Sequence, residues 1–240
     1  MLRNENALTP HFASQHRNEQ LNVAVLTRDT PVGEARRLER LAKRTLDITI
    51  AGTAFVLLLP LLFLIGALVW SADRKSPIFR HMRIGQGGRR FGCLKFRSMV
   101  TNGDDVLRAY LAVNPAAQRE WDETHKLTND PRVTPLGAVL RKTSLDELPQ
   151  LINVLRGEMS LVGPRPIVTA ELERYGTAFE TCFSVTPGVT GLWQVSGRSN
   201  CTYAERVALD LDYATRWSFA RDVAIMLRTV PAVLAQRGSR

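Results

Sequence analysis

The chain has 240 residues, of which 45% are hydrophobic and 23% are charged, and its formal net charge is +9. This apolar fraction excludes a chain that is disordered throughout, and three widely spaced cysteines exclude a disulfide scaffold. Eight basic residues and no acidic one lie between Arg74 and Arg97, which indicates an anionic partner: nucleic acid, anionic lipid or a phosphorylated substrate.

The distribution of charged and apolar residues divides the chain into a polar tail (1–35), a membrane-anchor segment (36–75) and a folded domain (76–240). Within the anchor segment, 36–47 has leucines at helical spacing among basic residues, which predicts an amphipathic lead-in helix. The run 48–70 is uncharged over its 23 residues. As a straight helix it would reach roughly 34 Å, enough to cross a hydrocarbon core of about 30 Å.

Two features of this apolar run argue against a simple crossing. Pro60 lies near its middle, where it removes a backbone hydrogen bond. Lys43 and Arg44 precede the run, and Arg74 and Lys75 follow it, so the positive-inside tendency draws both ends to the cytoplasmic face. A helix that bends at Pro60 and returns on the same side satisfies both signals. A single-pass helix with a tolerated proline kink is the alternative.

The remaining elements follow in chain order. Residues 77–100 predict two short strands joined by a turn at Gly87-Gly88. A helix over 104–121, interrupted at Asn114-Pro115, precedes a polar and irregular stretch, 122–142. Further helices are predicted over 144–156 (closed by Gly157), 171–183, 203–214 and 218–235, with a chain break at 186–188.

Two adjacent carboxylates, Asp146 and Glu147, lie at the start of the helix predicted over 144–156. Ser144 and Glu147 fit a capping box, and the helix dipole would keep Asp146 ionised. An ionised, positioned aspartate can attack phosphorus or bind magnesium. An acidic first turn is also ordinary helix composition, so a purely structural role remains open at this point.

Two basic motifs complete the set of candidate residues. Arg165 lies between Pro164 and Pro166, and such a rigid loop suits a guanidinium that binds phosphate; an ordinary tight turn is the alternative. Lys95 and Arg97 alternate on a predicted strand and are expected on the same face, where they could hold a diphosphate or form a solvated basic surface.

Several motifs occur together in a specific order. They are the basic-flanked apolar run with Pro60, Lys95-Phe96-Arg97-Ser98-Met99, Arg141 followed by 144–149 (Ser-Leu-Asp-Glu-Leu-Pro), Gly163-Pro164-Arg165-Pro166 and 186–198 (Thr-Pro-Gly-Val-Thr-Gly-Leu-Trp-Gln-Val-Ser-Gly-Arg). From about Arg37 to the C-terminus, this order resembles the bacterial sugar transferases, the monotopic polyprenyl-phosphate phosphoglycosyl transferases. The insert 126–132 resembles the hexose-1-phosphate transferases that initiate exopolysaccharide synthesis.

The resemblance implies a covalent phosphoryl transfer. Asp146 would attack the sugar-bearing phosphate of a UDP-sugar, release UMP, and pass the sugar phosphate to undecaprenyl phosphate. Glu147 would support Asp146, Mg2+ would bind at Asp146, and the substrate-binding residues would be Lys95, Arg97, Arg141, Pro164, Arg165 and Pro166. Galactose and glucose are both candidate sugars. A relative that kept the fold and binds lipid phosphate or UDP-sugar without catalysis is the alternative.

The resemblance also implies a fold class and a location. The fold expected is mainly α with a short β-hairpin (α+β), with a proline-broken re-entrant membrane helix and a cytosolic catalytic domain at the inner, cytoplasmic membrane. The anchor residues are Lys43, Arg44, Asp47 and Pro60. Leu59 departs from the serine that the family has before this proline. The C-terminal helix or the membrane segment is a candidate homodimer contact, and nucleic acid is not expected as a partner because no binding motif is present.

Overall fold

The structure is a computed structural model that describes residues 31–124, 127–196 and 201–234. Lys126, Gly197 and Arg198 of the family motifs, and the predicted tail up to residue 30, lie outside these described residues. By compactness the chain divides into Met1–Lys43 and Arg44–Arg240. Within the first unit, α1 begins at Pro31 and leaves the side chains of Leu38 and Leu41 exposed.

The described elements are mainly helical. The helices are α1 (Pro31–Asp73), α2 (Gly103–Val113), α3 (Pro115–Thr124), α4 (Pro135–Lys142), α5 (Gln150–Arg156), α6 (Leu172–Tyr175), α7 (Phe179–Cys182), α8 (Leu192–Ser196), α9 (Tyr203–Thr215) and α10 (Phe219–Leu234). The strands are β1 (Ile78–Ile84), β2 (Arg90–Phe96), β3 (Ser160–Val162) and β4 (Gly188–Thr190). The mainly α architecture with a short antiparallel hairpin is therefore confirmed.

The lead-in and the apolar run form one helix, α1, in which Pro60 lies inside rather than between two segments. The expected break of the helix at Pro60 is not seen in α1, because a proline removes one hydrogen bond while the turns on either side retain theirs. The predicted re-entrant bend at this residue stays a prediction. Residues Arg36–Asp73 of this helix are long and apolar enough to cross a membrane, so by length and composition they are a candidate membrane span.

β1 and β2 form the predicted hairpin. They pair antiparallel with His81 opposite Cys93, and the turn between them uses Gly87 and Gly88 at positive φ. The outer edge of β2 is bound by one side chain of α5. The Asn153 amide donates to the Gly92 carbonyl and accepts from the Leu94 N–H, both at 2.9 Å.

Two core clusters join the hairpin to α1 on either side of Pro60. Ala51 packs with Phe91, Cys93, Val154 and Met159. The other cluster consists of Ile65, Val69, Phe96 and Leu140. Within the second unit, α1 therefore packs on the core through residues that precede and residues that follow the proline.

β3 and β4 form a parallel pair that was not predicted, with Ser160 opposite Gly188 and Val162 opposite Thr190. The chain segments that follow β3 and precede β4 approach closely. A Cβ atom at Gly188 would lie 2.1 Å from the Gly163 nitrogen, so neither position has space for a side chain. This contact fixes the backbone at the start of the Gly163–Pro166 loop.

Some helix predictions hold and others fail for identifiable reasons. The break at Asn114-Pro115, the stop at Gly157 in a left-handed conformation, and the last two helices are confirmed. The prediction that 122–142 is irregular is wrong in its second half, where α4 forms. Thr134 caps this helix, and its side chain accepts a hydrogen bond from Gly137 N. The helix predicted over 171–183 is divided at Gly176, whose φ is 48°.

Candidate active site

Asp146 lies in a short 3₁₀ turn, Leu145–Glu147, between α4 and α5. The predicted capping box is wrong. Ser144 adopts a left-handed conformation (φ 58°, ψ 15°) and its side chain makes no capping hydrogen bond. Pro149 then precedes α5, so the two carboxylates stand on a separate turn before that helix rather than in its first turn.

Lys95 forms ion pairs with both carboxylates of this turn. Its Nζ lies 2.6 Å from Glu147 Oε1 and 4.0 Å from Asp146 Oδ2. Asp146 is 8% exposed, and burial raises the pKa of its carboxyl; the Lys95 ammonium opposes that rise and Glu147 adds to it. Asp146 was expected in the first turn of a helix whose dipole would keep it ionised. It lies instead in a separate turn, where burial has the largest influence on its pKa and raises it.

Arg141 is held at the C-terminal end of α4 by a contact with the residues after β2. Its Nε donates to Ser98 Oγ at 2.8 Å. The Ser98 carbonyl accepts from Thr134 N at 3.1 Å, and a Cβ at Gly137 would lie 2.0 Å from that same oxygen. The positive charge of Arg141 also lowers the pKa of Asp146, so these two predicted residues interact electrostatically.

Arg97 makes different contacts from Lys95. Its guanidinium pairs with Asp73 at the end of α1 and donates through Nε to the Ser76 carbonyl at 2.9 Å. Lys95 reaches the Asp146 turn while Arg97 secures the end of α1, so the structure does not bring these two cations together.

The Gly163–Pro166 loop follows β3, and Pro164 and Pro166 are buried. Arg165 is half-buried, with its Cζ 5.9 Å from the centroid of the Trp193 ring. The Pro166 carbonyl accepts from Arg83 Nη1 at 3.4 Å. The two prolines therefore fix a loop that carries an arginine toward the same face of the hairpin as Arg83.

Several residues that the sequence interpretation missed lie on that face. Arg83 Nη1 and Arg206 Nη1 lie 3.7 Å and 3.8 Å from the two carboxylate oxygens of Glu171. Burial, followed by repulsion from the neighbouring cations including Lys95, lowers the pKa of His81 to about 4, so His81 is neutral at pH 7. The period-2 alternation of His81 and Arg83 in β1 was a signal for their shared face.

Among the predicted anchor residues, Arg44 and Asp47 hydrogen bond to backbone groups of α5 and β3. Arg44 donates to the Val154 and Leu155 carbonyls at 2.7 and 2.9 Å. Asp47 Oδ1 accepts from Leu161 N at 3.0 Å. Lys43 ends the first unit of the chain, and Pro60 is exposed within α1. On α10, Leu227 and Val230 are exposed, and the homodimer contact stays a prediction.

The predicted Mg2+ site has few protein side chains available as ligands. Among the described residues, no group of three or more His, Cys, Asp or Glu side chains could hold a metal ion. Asp146 and Glu147 supply adjacent carboxylates. Mg2+ is commonly held by one or two carboxylates together with substrate phosphates and water, so this pair fits Mg2+.

Comparison with known proteins gives consistent matches. Residues 38–236 match the family described as bacterial sugar transferase. The exopolysaccharide production protein ExoY of Rhizobium meliloti (strain 1021) is 52% identical over 207 residues, 86% of this chain and 92% of the relative. The UDP-galactose-lipid carrier transferase of Erwinia amylovora is 51% identical over 205 residues, 85% of this chain and 43% of the relative. The UDP-glucose:undecaprenyl-phosphate glucose-1-phosphate transferase of Caulobacter vibrioides (strain ATCC 19089 / CIP 103742 / CB 15) is 42% identical over 205 residues, 81% of this chain and 70% of the relative.

Proposed function

The chain belongs to the bacterial sugar transferase family, and from that premise we propose that it transfers galactose or glucose 1-phosphate from a UDP-sugar to undecaprenyl phosphate. Relatives whose names state galactose or glucose phosphotransfer to this lipid support an enzyme of this type. The relative named for exopolysaccharide production supports a role in the first membrane step of exopolysaccharide synthesis.

The observation that carries the proposal is the environment of Asp146. Its carboxylate is largely buried, and within the described part of the chain its one ion-pair partner is Lys95, at 4.0 Å. A carboxylate held in this way keeps its oxygens available for reaction. Lys95 and Arg141 place positive charge where a phosphoryl group would approach it.

The reaction follows in two displacements. An Asp146 oxygen attacks the phosphorus that bears the sugar, and the bond from that phosphorus to the bridging oxygen breaks, so UMP leaves with the bonding electron pair. An oxygen of undecaprenyl phosphate then attacks the same phosphorus. The bond to Asp146 breaks, the carboxylate is restored, and the product is undecaprenyl-diphosphate-sugar.

The surrounding residues have separate roles in this proposal. Lys95 and Arg141 stabilise negative charge on the transferred phosphoryl group, and Arg165 binds the donor phosphates from its proline-fixed loop. Glu147 orients Lys95 through the 2.6 Å contact. Mg2+, held by Asp146 with Glu147, would supply neutralisation of the diphosphate charge.

We also propose a monotopic anchor, with the catalytic domain (76–240) on the cytosolic side and α1 re-entrant over 36–75. Ala51 and Ile65 both pack in the core of the same unit, and 13 residues separate them. Those residues would span roughly 20 Å as a helix, whereas a crossing needs about 20 apolar residues. The exposed side chains of Val56, Leu57 and Phe63 in this interval favour insertion into one leaflet.

The decisive experiment measures UMP release by the full chain in nanodiscs, with a panel of UDP-sugars, undecaprenyl phosphate and Mg2+. We expect release with one sugar, and a donor-dependent mass increase on Asp146 when the acceptor is omitted. Asp146→Asn should abolish both signals. The matched control, Asp104→Asn, changes an exposed aspartate in the first turn of α2 and should retain both.

Two results would contradict this proposal. Folded wild-type protein that releases no UMP from any UDP-sugar would exclude the transferase, and full activity in Asp146→Asn would exclude the covalent intermediate. For the anchor, we expect reporter tags at both termini to be cytoplasmic. A periplasmic C-terminal tag would exclude the re-entrant arrangement.

A further inference from the structure

One histidine lies on the face of the hairpin that carries Lys95, and the reaction proposed above does not use it. His81 lies on β1 opposite Cys93, and Phe79 lies opposite Lys95. Alternate residues of a strand share a face, so His81 and Lys95 are diagonal neighbours across the two strands. The Cα atoms of such neighbours are about 7–8 Å apart. His81 is therefore one strand step away from the lysine that pairs with Asp146.

The tautomer of His81 follows from its one hydrogen bond within the described residues. Arg83 Nη2 lies 3.2 Å from His81 Nδ1. A guanidinium has only donors, so Nδ1 accepts this bond. The ring is neutral at pH 7, because burial and repulsion from nearby cations lower the pKa of His81 to about 4. Its single ring proton is therefore at Nε2.

The Nε2–H group of this tautomer is a donor that is still open to a ligand. Nε2 has no hydrogen-bond partner in the part of the chain that the structure describes, and the ring is half-buried rather than enclosed in the core. The hydroxyl of Tyr213, in contrast, donates within the protein and lies in the core. The Nε2–H of His81 is therefore oriented by the protein but not used by it.

Arg83 fixes that orientation relative to the loop that carries Arg165. Its Nη1 donates to the Pro166 carbonyl at 3.4 Å and lies 3.7 Å from a carboxylate oxygen of Glu171. The same guanidinium therefore contacts His81 through one nitrogen and the proline-fixed loop through the other. The ring of His81 and the loop of Arg165 are thus held together at one end of the hairpin face.

The charges that act on His81 indicate what its open donor binds. After burial, the strongest influences on its pKa are Arg83, Lys95 and Arg165, and Glu171 acts less strongly in the opposite direction. Three cations near one neutral donor favour an anion that is rich in oxygen acceptors. Lys95 belongs to β2 and Arg165 to the proline-fixed loop, so both segments contribute positive charge to an anion bound at His81.

We propose that His81 is a further catalytic residue, whose Nε2–H donates to a non-bridging oxygen of the uridine-side phosphate of the donor, the phosphate that leaves in UMP. This inference rests on the proposed function. When the sugar-bearing phosphorus lies at Asp146 beside Lys95, the second phosphate is one bridging oxygen away. This phosphate gains negative charge as the bond to the transferred phosphorus breaks, so a fixed donor stabilises the transition state more than the ground state. His81 keeps its proton throughout.

The first test removes the donor and retains a ring, in full-length protein in nanodiscs with the UDP-sugar that supports UMP release. His81→Phe should lower kcat/KM about 10- to 100-fold, because a hydrogen bond to a charged group is lost. His81→Gln retains an N–H donor and an acceptor for Arg83, and should stay within about threefold of wild-type protein. The control for disturbance of the hairpin is Gln86→Leu, which removes bonds to Ser184 and Thr186 at the turn and should retain the wild-type value.

The second test identifies the atom that His81 contacts. Sulfur accepts hydrogen bonds poorly, so two donor diastereomers, each with sulfur at one non-bridging position of the uridine-side phosphate, weaken one contact at a time. We expect wild-type protein to use one diastereomer at least about tenfold more slowly than the oxygen donor. In His81→Phe this sulfur penalty should fall to about threefold or less, because the contact is already absent. A penalty caused by the metal ion would be equal in the two proteins.

The outcomes distinguish this inference from the proposed function. Full activity in His81→Phe, or an equal sulfur penalty in His81→Phe and wild-type protein, would overturn the role of His81 and leave the transferase intact. His81→Gln as slow as His81→Phe would also overturn it, because the N–H would then not be the active group. A sulfur penalty that falls in Gln86→Leu as well would overturn it as a structural effect. Absence of UMP release from any UDP-sugar by folded wild-type protein would overturn the transferase itself.

Discussion

Asp146 and Asp222 are both buried carboxylates, yet their surroundings differ. Asp222 is 1% exposed and accepts from Tyr213 Oη at 2.6 Å and from Trp217 Nε1 at 3.0 Å. Asp146 is 8% exposed and has Lys95 at 4.0 Å. A buried carboxylate whose oxygens accept short hydrogen bonds serves to stabilise the fold. Burial beside a cation at a longer distance leaves its oxygens able to react.

The strongest test of this difference is Lys95→Met. We expect the rate of UMP release to fall about 10²- to 10³-fold, about 3–4 kcal/mol, because the variant removes a preorganised charge at the transferred phosphoryl group. Lys95 lowers the pKa of Asp146, so the acid limb of the pH–rate profile should move to higher pH. Arg90→Met removes an exposed cation of the same strand and should change neither quantity. A fall of less than tenfold in the rate of UMP release would show that Lys95 does not stabilise the transferred phosphoryl group.

A second test uses Asp210, a buried carboxylate that accepts from Tyr175 Oη at 2.8 Å. Burial raises its pKa from 3.8 to about 6. Between these values the folded state holds a proton that the unfolded state releases, so Asp210 makes the free energy of unfolding fall as the pH rises through this window. The contribution of Asp210 is roughly 3 kcal/mol, and His81, whose pKa is lowered to about 4, contributes in the opposite direction.

Denaturant unfolding followed between pH 4 and 7 measures this change in detergent-solubilised protein. Asp210→Asn should remove the falling contribution, so its free energy of unfolding should rise more steeply with pH than that of wild-type protein, and the pH–rate profile of UMP release should stay in place. The same slope in Asp210→Asn and wild-type protein would assign the proton to another group.

Asp222→Asn tests the framework role directly. An amide cannot accept from both Tyr213 and Trp217 as a carboxylate does, so the free energy of unfolding should fall by about 2 kcal/mol. Turnover per folded molecule should be unchanged, in contrast to the effect of Asp146→Asn. Reduced turnover at unaltered stability would show that the two carboxylates do not differ in the way described.

The smallest expected effect is that of Ser98→Ala, which removes the acceptor of the 2.8 Å bond from Arg141 Nε. A single neutral acceptor contributes about 1 kcal/mol, so kcat should fall about fivefold with little change in stability. Ser71→Ala removes a hydroxyl from an exposed helical serine and serves as the control. Equal activity in the two variants would mean that Arg141 is positioned without Ser98.

Local signals in the sequence predicted local structure well. Gly87 and Gly88 marked the hairpin turn, and Asn114-Pro115 marked a helix boundary. Glycine and proline determine the local backbone conformation at their own positions, so these signals do not depend on distant residues. The helix predicted from Ser144 failed for the opposite reason. The residue adopts a left-handed conformation within a turn between α4 and α5, and the sequence pattern alone did not indicate that conformation.

The sequence predicted those site residues that lie within a short recognisable motif, as Asp146, Glu147 and Arg165 do. The contacts that define it connect distant segments. Lys95 and Glu147 are 52 residues apart, and Arg44 and Val154 are 110 apart. Period-2 alternation indicated that Lys95 and Arg97 share a face, but Arg97 follows the end of β2 and pairs with Asp73. The long-range pairing of β3 with β4 had no local signal.

The two hydrogen bonds between the Asn153 side chain and β2 affect the order in which the protein folds. A two-stranded hairpin is marginal by itself in water, and Asn153 binds this one from 61 residues away in the chain. Asp146 lies in the turn that leads into the same helix, α5. We therefore expect the docking of α5 to stabilise the strand of Lys95 and to bring Asp146 beside it in one step, so a nascent chain would assemble its reactive pair only when the domain closes.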